Sequence, residues 1–351
     1  MKYFFIVQGE GMGHTTQSLA LRSMLERQGH TVVNTLLGKN FLRAKNILYR
    51  KIQHQNYFSP VFLRKRDKTG INLFTTFLYN FILSPLYLFS ILQIAFRIRA
   101  SNAGVIVVFY DFVGQAGSFL SFSGKPVFTI SHHYFFEHES FEFPAVRKLE
   151  RLMLKIHSSL ASIGAHKKLA ISFTHEPDIP GKKIYVVPPL LRAEIINAEP
   201  VVGRHVHIYC LQPGFINSII QLAQRTPEKD FIVFIHEFQK ETILPENLKI
   251  SGISGKEFLE SIRTAGLVIC TAGFETLAEA VFLDKSLIIV PSKNHFEQYC
   301  NSVDAIRANA ATAEENFNII NTPDFTGNPA HSRFMKWIAR AEEIFIKHLT
   351  E

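Results

Sequence analysis

Apolar runs of strand length recur along the chain, most followed by a turn and then by apolar positions three or four residues apart. In the first half these runs are residues 2–8, 31–36, 105–109 and 126–131, with shorter ones at 169–172 and 184–187. In the second half they are 205–211, 231–236, 267–270 and 286–290. Helical spacing predicts helices over 15–28, closed by Gly29 as a C-cap, and over 114–123, 145–160, 274–283 and 332–349. Strand, tight turn, helix, strand is the crossover unit of a parallel sheet. Pro188-Pro189 ends the first series, and a linker runs through Gly203. The pattern therefore predicts an α/β protein with a first domain over 1–188, a second over 204–330, and a closing helical segment over 331–351. There is no internal repeat.

One stretch departs from this rhythm. Residues 39–68 carry nine Lys/Arg, and residues 71–96 then run without a formal charge, broken by Ser84-Pro85 and by Asn72, Asn80 and Gln93. Length alone would let the uncharged run span a membrane. A membrane-lying hairpin and a buried helix pair are the other readings, and Pro85 together with the surrounding α/β pattern favours them over a span. The segment from about 39 to 100 is thus an insert in the first domain.

Composition sharpens two points. Residues 1–100 hold 14 Lys/Arg against 3 Asp/Glu, a balance of +11 in a chain whose net charge is +8. An anionic partner is implied for the first half. No nucleic-acid motif accompanies the charge, so a phospholipid surface or a phosphorylated acceptor is expected rather than nucleic acid. Cys210, Cys270 and Cys300 are widely separated, with neither a disulfide framework nor a CxxC pair, which fits a reducing cytoplasm. The opening apolar run is five residues, too short for a signal peptide.

The chemistry is concentrated in the turns. Thr271-Ala272-Gly273 precedes a helix whose face carries Phe274, Leu277, Ala280 and Val281. The first N–H groups of such a helix lack internal partners, and its dipole adds partial positive charge, so the turn can take an anion. Glu279 is placed to accept hydrogen bonds from a ribose diol, and Glu297-Gln298 to hold sugar hydroxyls. Read as structure alone, the turn serves any buried crossover and Glu279 is a solvated helix residue. In the first domain, Gly9-Glu10-Gly11-Met12-Gly13-His14 lies between the first strand and helix. Residues 31–38 offer no Asp or Glu for a ribose 2′-hydroxyl, which argues against a dinucleotide. His14 is a candidate general base, or else a helix cap or phosphate contact. Asp111 and His132 fall at strand C-terminal ends; Asp111 is either an orienting partner for His14 or a loop cap. His132-His133 lacks a third ligand at metal spacing, so no metal site is expected.

These motifs resemble the GT-B glycosyltransferases, and family 28 in particular, which includes UDP-N-acetylglucosamine:lipid N-acetylglucosaminyltransferases. The donor signature matches Thr271-Ala272-Gly273-Phe274-Glu275-Thr276-Leu277-Ala278-Glu279, then Val290-Pro291 and Glu297-Gln298-Tyr299-Cys300-Asn301. The glycine-rich turn with His14, Leu19-Ala20 and Gly29-His30 resembles the N-terminal signature, in its GEGxGH branch. Gln17 stands where that branch has Arg, and Gln212-Pro213-Gly214 where the family has a Gly-Gly-Ser-like loop.

The resemblance implies two Rossmann-like domains facing a cleft, with a C-terminal helix crossing back to the first. It implies His14 and Asp111 as the catalytic pair. Gly13, Ile253, Ser254, Thr271, Ala272, Gly273, Phe274, Glu275, Thr276, Glu279, Glu297 and Gln298 would serve the donor, and Gly11, Met12, Thr15, His132 and His133 the acceptor. The expected reaction is inverting, metal-independent transfer from a UDP-sugar to a hydroxyl acceptor, lipid-linked or membrane-proximal. No further cofactor is expected, and the protein would lie peripherally on the cytoplasmic face of a membrane. A nucleotide-sugar 2-epimerase and a non-catalytic membrane-surface binding protein remain open on the same fold.

Overall fold

The computed structural model describes residues 1–10, 12–42, 53–63, 65–66, 70–144, 148–235, 243–252, 255–319 and 326–351. The chain forms two units, one of 1–62, 73–192 and 337–351, the other of 63–72 and 193–336.

The first unit contains β1 (Lys2–Val7), α1 (Gly13–Arg27), β2 (Thr31–Lys39), β3 (Gln55–Phe58), α2 (Leu73–Ile82), α3 (Ser84–Ala100), β4 (Val105–Phe109), α4 (Phe112–Leu120) and β5 (Val127–Ser131). A 3-10 helix (His132–Glu137), α5 (Lys148–Leu160), β6 (Lys167–Ile171) and β7 (Ile184–Val187) follow. The second unit contains α6 (Ala193–Ile196), β8 (Val206–Cys210), α7 (Ile216–Arg225), β9 (Phe231–Ile235), β10 (Leu248–Ser251), α8 (Gly255–Thr264), β11 (Leu267–Cys270), α9 (Phe274–Phe282), β12 (Ser286–Ile289), α10 (Phe296–Arg307) and β13 (Thr312–Ala313). The chain rejoins the first unit near the end of α11 (His331–Ile338) and closes with α12 (Ala341–Thr350). Tyr3 donates to the Leu349 carbonyl and Trp337 Nε1 to the Ser172 carbonyl, which ties this return to the first unit.

Both sheets are wholly parallel. The first has strand order β3-β2-β1-β4-β5-β6-β7, the second β10-β9-β8-β11-β12-β13. Central strands such as β4, β5, β11 and β12 are buried at every residue, as a sheet covered on both faces requires. Phe4, Ile6, Ile106 and Val108 join Ile94 and Val113 in one core; Val206, Ile208, Leu267 and Ile269 anchor the other.

Strand order reverses direction between β1 and β4 in one sheet and between β8 and β11 in the other. In open α/β sheets ligands bind beyond the carboxyl ends of the strands at such a switch point. Those ends are residues 8–14 and 110–111 in the first unit, and 211–214 and 271–273 in the second.

The insert differs in detail from its sequence reading. Residues 55–58, read only as part of the basic stretch, form β3, an edge strand of the first sheet. The uncharged run becomes α2 and α3, bent by 61°. Pro85, in the first turn of α3, lacks the N–H that a continuing helix would need. Among the described residues no single helix is long and apolar enough to cross a membrane. The helix α3 buries Tyr87, Ile94 and Ile98 on one face but leaves Leu88, Phe89, Leu92 and Phe96 exposed on the other, and α2 leaves Phe74, Phe77, Phe81 and Ile82 exposed. Neither a wholly buried pair nor a straight span describes it.

Candidate active site

In the second unit, Thr271 ends the buried run of β11, and its N–H donates to the Tyr209 carbonyl at 3.1 Å. Gly273 N–H turns back onto the Thr271 carbonyl at 2.7 Å, a three-residue turn that aims the start of α9 at the end of the sheet. Gly273 occupies the N-cap, where it has no side chain to cap the helix. The helix α10 holds the turns on either side. Asn301 Nδ2 donates to the Ala272 carbonyl at 2.8 Å, and Gln298 Oε1 accepts from Ser292 N–H at 2.8 Å.

Four buried polar atoms lie on these loops without a partner among the described residues: Gln212 Oε1, Thr271 Oγ1, Ser292 Oγ and Asn301 Oδ1. They follow β8, β11 and β12 or sit on α10, all about the carboxyl edge of one sheet. A buried polar atom left unpaired costs about 1–3 kcal/mol, so each of the four is a candidate to meet a polar group from outside the chain once its loop adjusts.

Glu279 is only 2 % exposed, which excludes the solvated-helix reading. Phe274 and Thr276 are also buried, while Glu275 and Gly273 are half-exposed at the helix start. Gln298, expected to hold sugar hydroxyls, is buried with its Oε1 accepting from the backbone after β12, and half-buried Glu297 is the more accessible of the pair. Ile253 and Ser254 lie outside the described residues.

In the first unit, α1 begins at Gly13, and Met12 at its N-cap makes no side-chain bond. The Met12 carbonyl accepts from Thr16 N–H and Oγ1, which shapes the turn, and Thr15 is fully buried. His14 is partly exposed, and its Nδ1 faces Gln17 Oε1 at 3.3 Å. An amide oxygen only accepts, so Nδ1 carries the proton and Nε2 is the basic nitrogen. Gln17 is buried one helical turn beyond His14, on the same face. Sequence reasoning noted it only as a departure from arginine; the i, i+3 spacing was the available signal. Gly11 lies outside the described residues.

Asp111 is 2 % exposed and caps α4, its Oδ1 accepting from Gly114 N–H at 2.7 Å. Of the two roles the sequence left open, capping is therefore the one seen directly. The helix starts at Phe112 rather than at residue 114 because this cap sets its first turn. His132 donates Nδ1–H to the Ile171 carbonyl at 2.7 Å, which fixes its tautomer and ties it to β6. His133 stacks on Tyr110, ring centroids 3.9 Å apart, and both rings lie near His14, at 6.3 and 5.9 Å. Tyr110 was missed. It holds a left-handed φ of 47°, costly for a bulky residue, and its hydroxyl meets Ser158 Oγ and His157 Nδ1, each at 3.0 Å. The structure thus gathers His14, Tyr110 and His133 at the ends of β1, β4 and β5.

Two parallel-sheet domains, each with its switch point occupied by a glycine-bearing turn and helix start, define the class of GT-B glycosyltransferases. The chain belongs to glycosyl transferase family 1, whose model matches residues 1–323. Solved structures show the same fold end to end. The kitacinnamycin glycotransferase has 14 % identity and a TM-score of 0.63, covering 99 % of each chain. MurG of Acinetobacter baumannii has 15 % identity and a TM-score of 0.62, covering 100 % of this chain and 99 % of its own. UGT71G1 of Medicago truncatula, solved with UDP-glucose, has 12 % identity and a TM-score of 0.59, covering 100 % and 98 %. No curated protein sequence matches. The protein is a glycosyltransferase, in agreement with its resemblance to family 28, to which MurG belongs.

Proposed function

We propose that the protein transfers a hexosyl or N-acetylhexosaminyl group from a UDP-sugar to the hydroxyl of a membrane-proximal, lipid-linked acceptor. The carrying observation is the set of buried atoms unpartnered among the described residues on the loops around the glycine-capped start of α9, namely Gln212 Oε1, Thr271 Oγ1, Ser292 Oγ and Asn301 Oδ1. On this reading the diphosphate lies at the α9 N-terminus, where N–H groups and the helix dipole meet its growing charge as the bond breaks. That stabilisation is the basis for proposing transfer without a metal or further cofactor. Glu279 binds the ribose diol and Glu297 the sugar.

His14 Nε2 takes the proton of the acceptor hydroxyl. The freed oxygen attacks the anomeric carbon, and the sugar–phosphate bond breaks with its electron pair leaving on UDP. Attack opposite the leaving group inverts the anomeric centre. A peripheral position on the cytoplasmic face of a membrane is supported by the exposed apolar face of α2 and by three buried cysteines that form no disulfide.

Calorimetric titration with UDP tests the donor half. Glu279→Ala should weaken UDP about 10- to 100-fold, the loss of one or two hydrogen bonds to a charged partner, at about 1–3 kcal/mol. Equal affinity in parent and variant, both folded by circular dichroism, would take Glu279 out of the donor site.

A further inference from the structure

A cavity of about 430 Å³ opens on the first unit at the far end of the 3-10 helix that begins with His132 and His133. Its floor is aromatic. Phe136 packs on Phe141 at 4.7 Å between ring centroids, and Phe141 on Phe143 at 5.0 Å. Its charged groups are mostly paired. Glu137 pairs through Oε2 with Lys168, its Oε1 being buried without a hydrogen bond among the described residues, and Glu139 pairs with Lys182, while His138 Nε2 donates to the Pro177 carbonyl.

Arg151 and Lys155 are the exceptions. They line the cavity one turn apart on α5, and neither has a carboxylate partner among the described residues. Their cations stand 4.4 and 5.8 Å from the ring of Phe143, a placement that holds the charge over the cavity floor. Two neighbouring cations above an aromatic floor suit an anion attached to an apolar body. An arginine fork matches phosphate in particular.

The surroundings decide what that body is. Beside the Arg151–Lys155 stripe, α5 turns Leu149, Leu152, Met153, Ile156 and Leu160 to solvent, each about half exposed or more. A helix normally buries such a stripe. Here it is flanked by Lys148, Arg151 and Lys155, and Glu150 is the only acid on the helix. Apolar residues beside a basic border complement an anionic lipid.

We propose that this cavity binds the phosphate headgroup of a lipid, with the acyl chain laid along the exposed stripe of α5. The site has a direct relation to the chemistry. Phe136 packs edge-on against His133 at 5.8 Å, and His133 is the ring beside His14. A lipid seated there fixes the His14 cluster close to the membrane surface. The inference rests on the membrane-proximal part of the proposed function and is independent of sugar transfer.

The test is calorimetric titration of the full chain with dihexanoyl phosphatidic acid below its micelle concentration. Saturable binding is expected, weakened at least tenfold in the Arg151→Gln/Lys155→Gln variant. Leu152→Ser/Ile156→Ser should weaken the lipid but leave inorganic phosphate unaffected. Phosphate alone should bind at least tenfold more weakly than the lipid; equal affinity would make this a free-phosphate site and overturn the proposal. Undiminished lipid binding in the cation variant, or tighter binding of a poly-glutamate peptide than of lipid, would overturn it as well. UDP affinity is measured on the same samples. Unchanged UDP binding shows the second unit intact, and its loss from the parent would count against the donor reading alone.

Discussion

At the residue scale, the chemistry turns on which atoms are already committed. His14 and His132 each donate Nδ1–H, to Gln17 Oε1 and to the Ile171 carbonyl of β6, so Nε2 is the basic nitrogen in both; they differ in exposure, His14 being partly exposed and His132 buried. On the proposed function, that accessibility favours His14 over its neighbour as the base. His14→Ala should reduce turnover about 10²–10⁴-fold, the usual worth of general-base assistance, with UDP affinity unchanged. The rate–pH profile should also lose its acidic limb, since that limb reports a base that must be deprotonated to act. Turnover near the parent's, with the acidic limb intact, would move the base elsewhere. Asp111 shows how far a sequence reaches on such matters. Its place at the end of β4 was legible, but its bond to Gly114 N–H depends on where α4 starts, and one residue of uncertainty there changes the role assigned.

Elements show a similar division. The strand–turn–helix units were legible because each is local: a short apolar run, small residues, then helical spacing, as in 267–283. The strand β3 was not, because its four residues carry a weak pattern and gain their partner only from β2. The apolar run of 71–96 could be cut at Pro85 from sequence, yet which face of each half is covered depends on the neighbouring elements. The helix α3 is held close to α4 at Gly117, where an added Cβ would lie 2.7 Å from Ile94 and 3.0 Å from the Ile91 carbonyl. Gly117→Ala should therefore destabilise the protein by about 1–3 kcal/mol, the usual cost of overpacking, despite the better helix propensity of alanine. Urea midpoints compare the two directly. A variant as stable as the parent would mean that the contact between α3 and α4 yields without cost.

For the molecule as a whole, one buried group gives stability a pH dependence. His207 on β8 is fully buried, and its Nδ1 meets Ser261 Oγ at 2.9 Å. Burial first, and then the nearby His205, push its pKa down to about 3, against about 6.5 for an unfolded histidine. Below pH 6.5 the unfolded chain takes up a proton that the native state refuses. The stabilising contribution is therefore complete above pH 6.5 and is lost as pH falls toward 3, by up to about 1.4 kcal/mol per pH unit. His207→Asn, which cannot titrate, should show a shallower loss of stability between pH 7 and 5 in urea denaturation. Parallel pH profiles in parent and variant would assign the acid sensitivity to other groups.

The sequence by itself determined that the chain alternates strands and helices in two α/β domains, and it pointed to the turns bearing His14 and Gly273 as the candidate site. Those features are encoded by residues close to one another along the chain, so periodicity and turn composition suffice to read them. Only the tertiary structure decided the strand orders that place both turns at switch points. It also decided the commitment of Gln298 and Asp111 to backbone N–H groups, the stacking of Tyr110 on His133, and the exposure of the apolar faces of α2 and α5. Each of these depends on partners distant in sequence. A polar or apolar side chain has the same composition whether it meets backbone, ligand or solvent, and only packing distinguishes them.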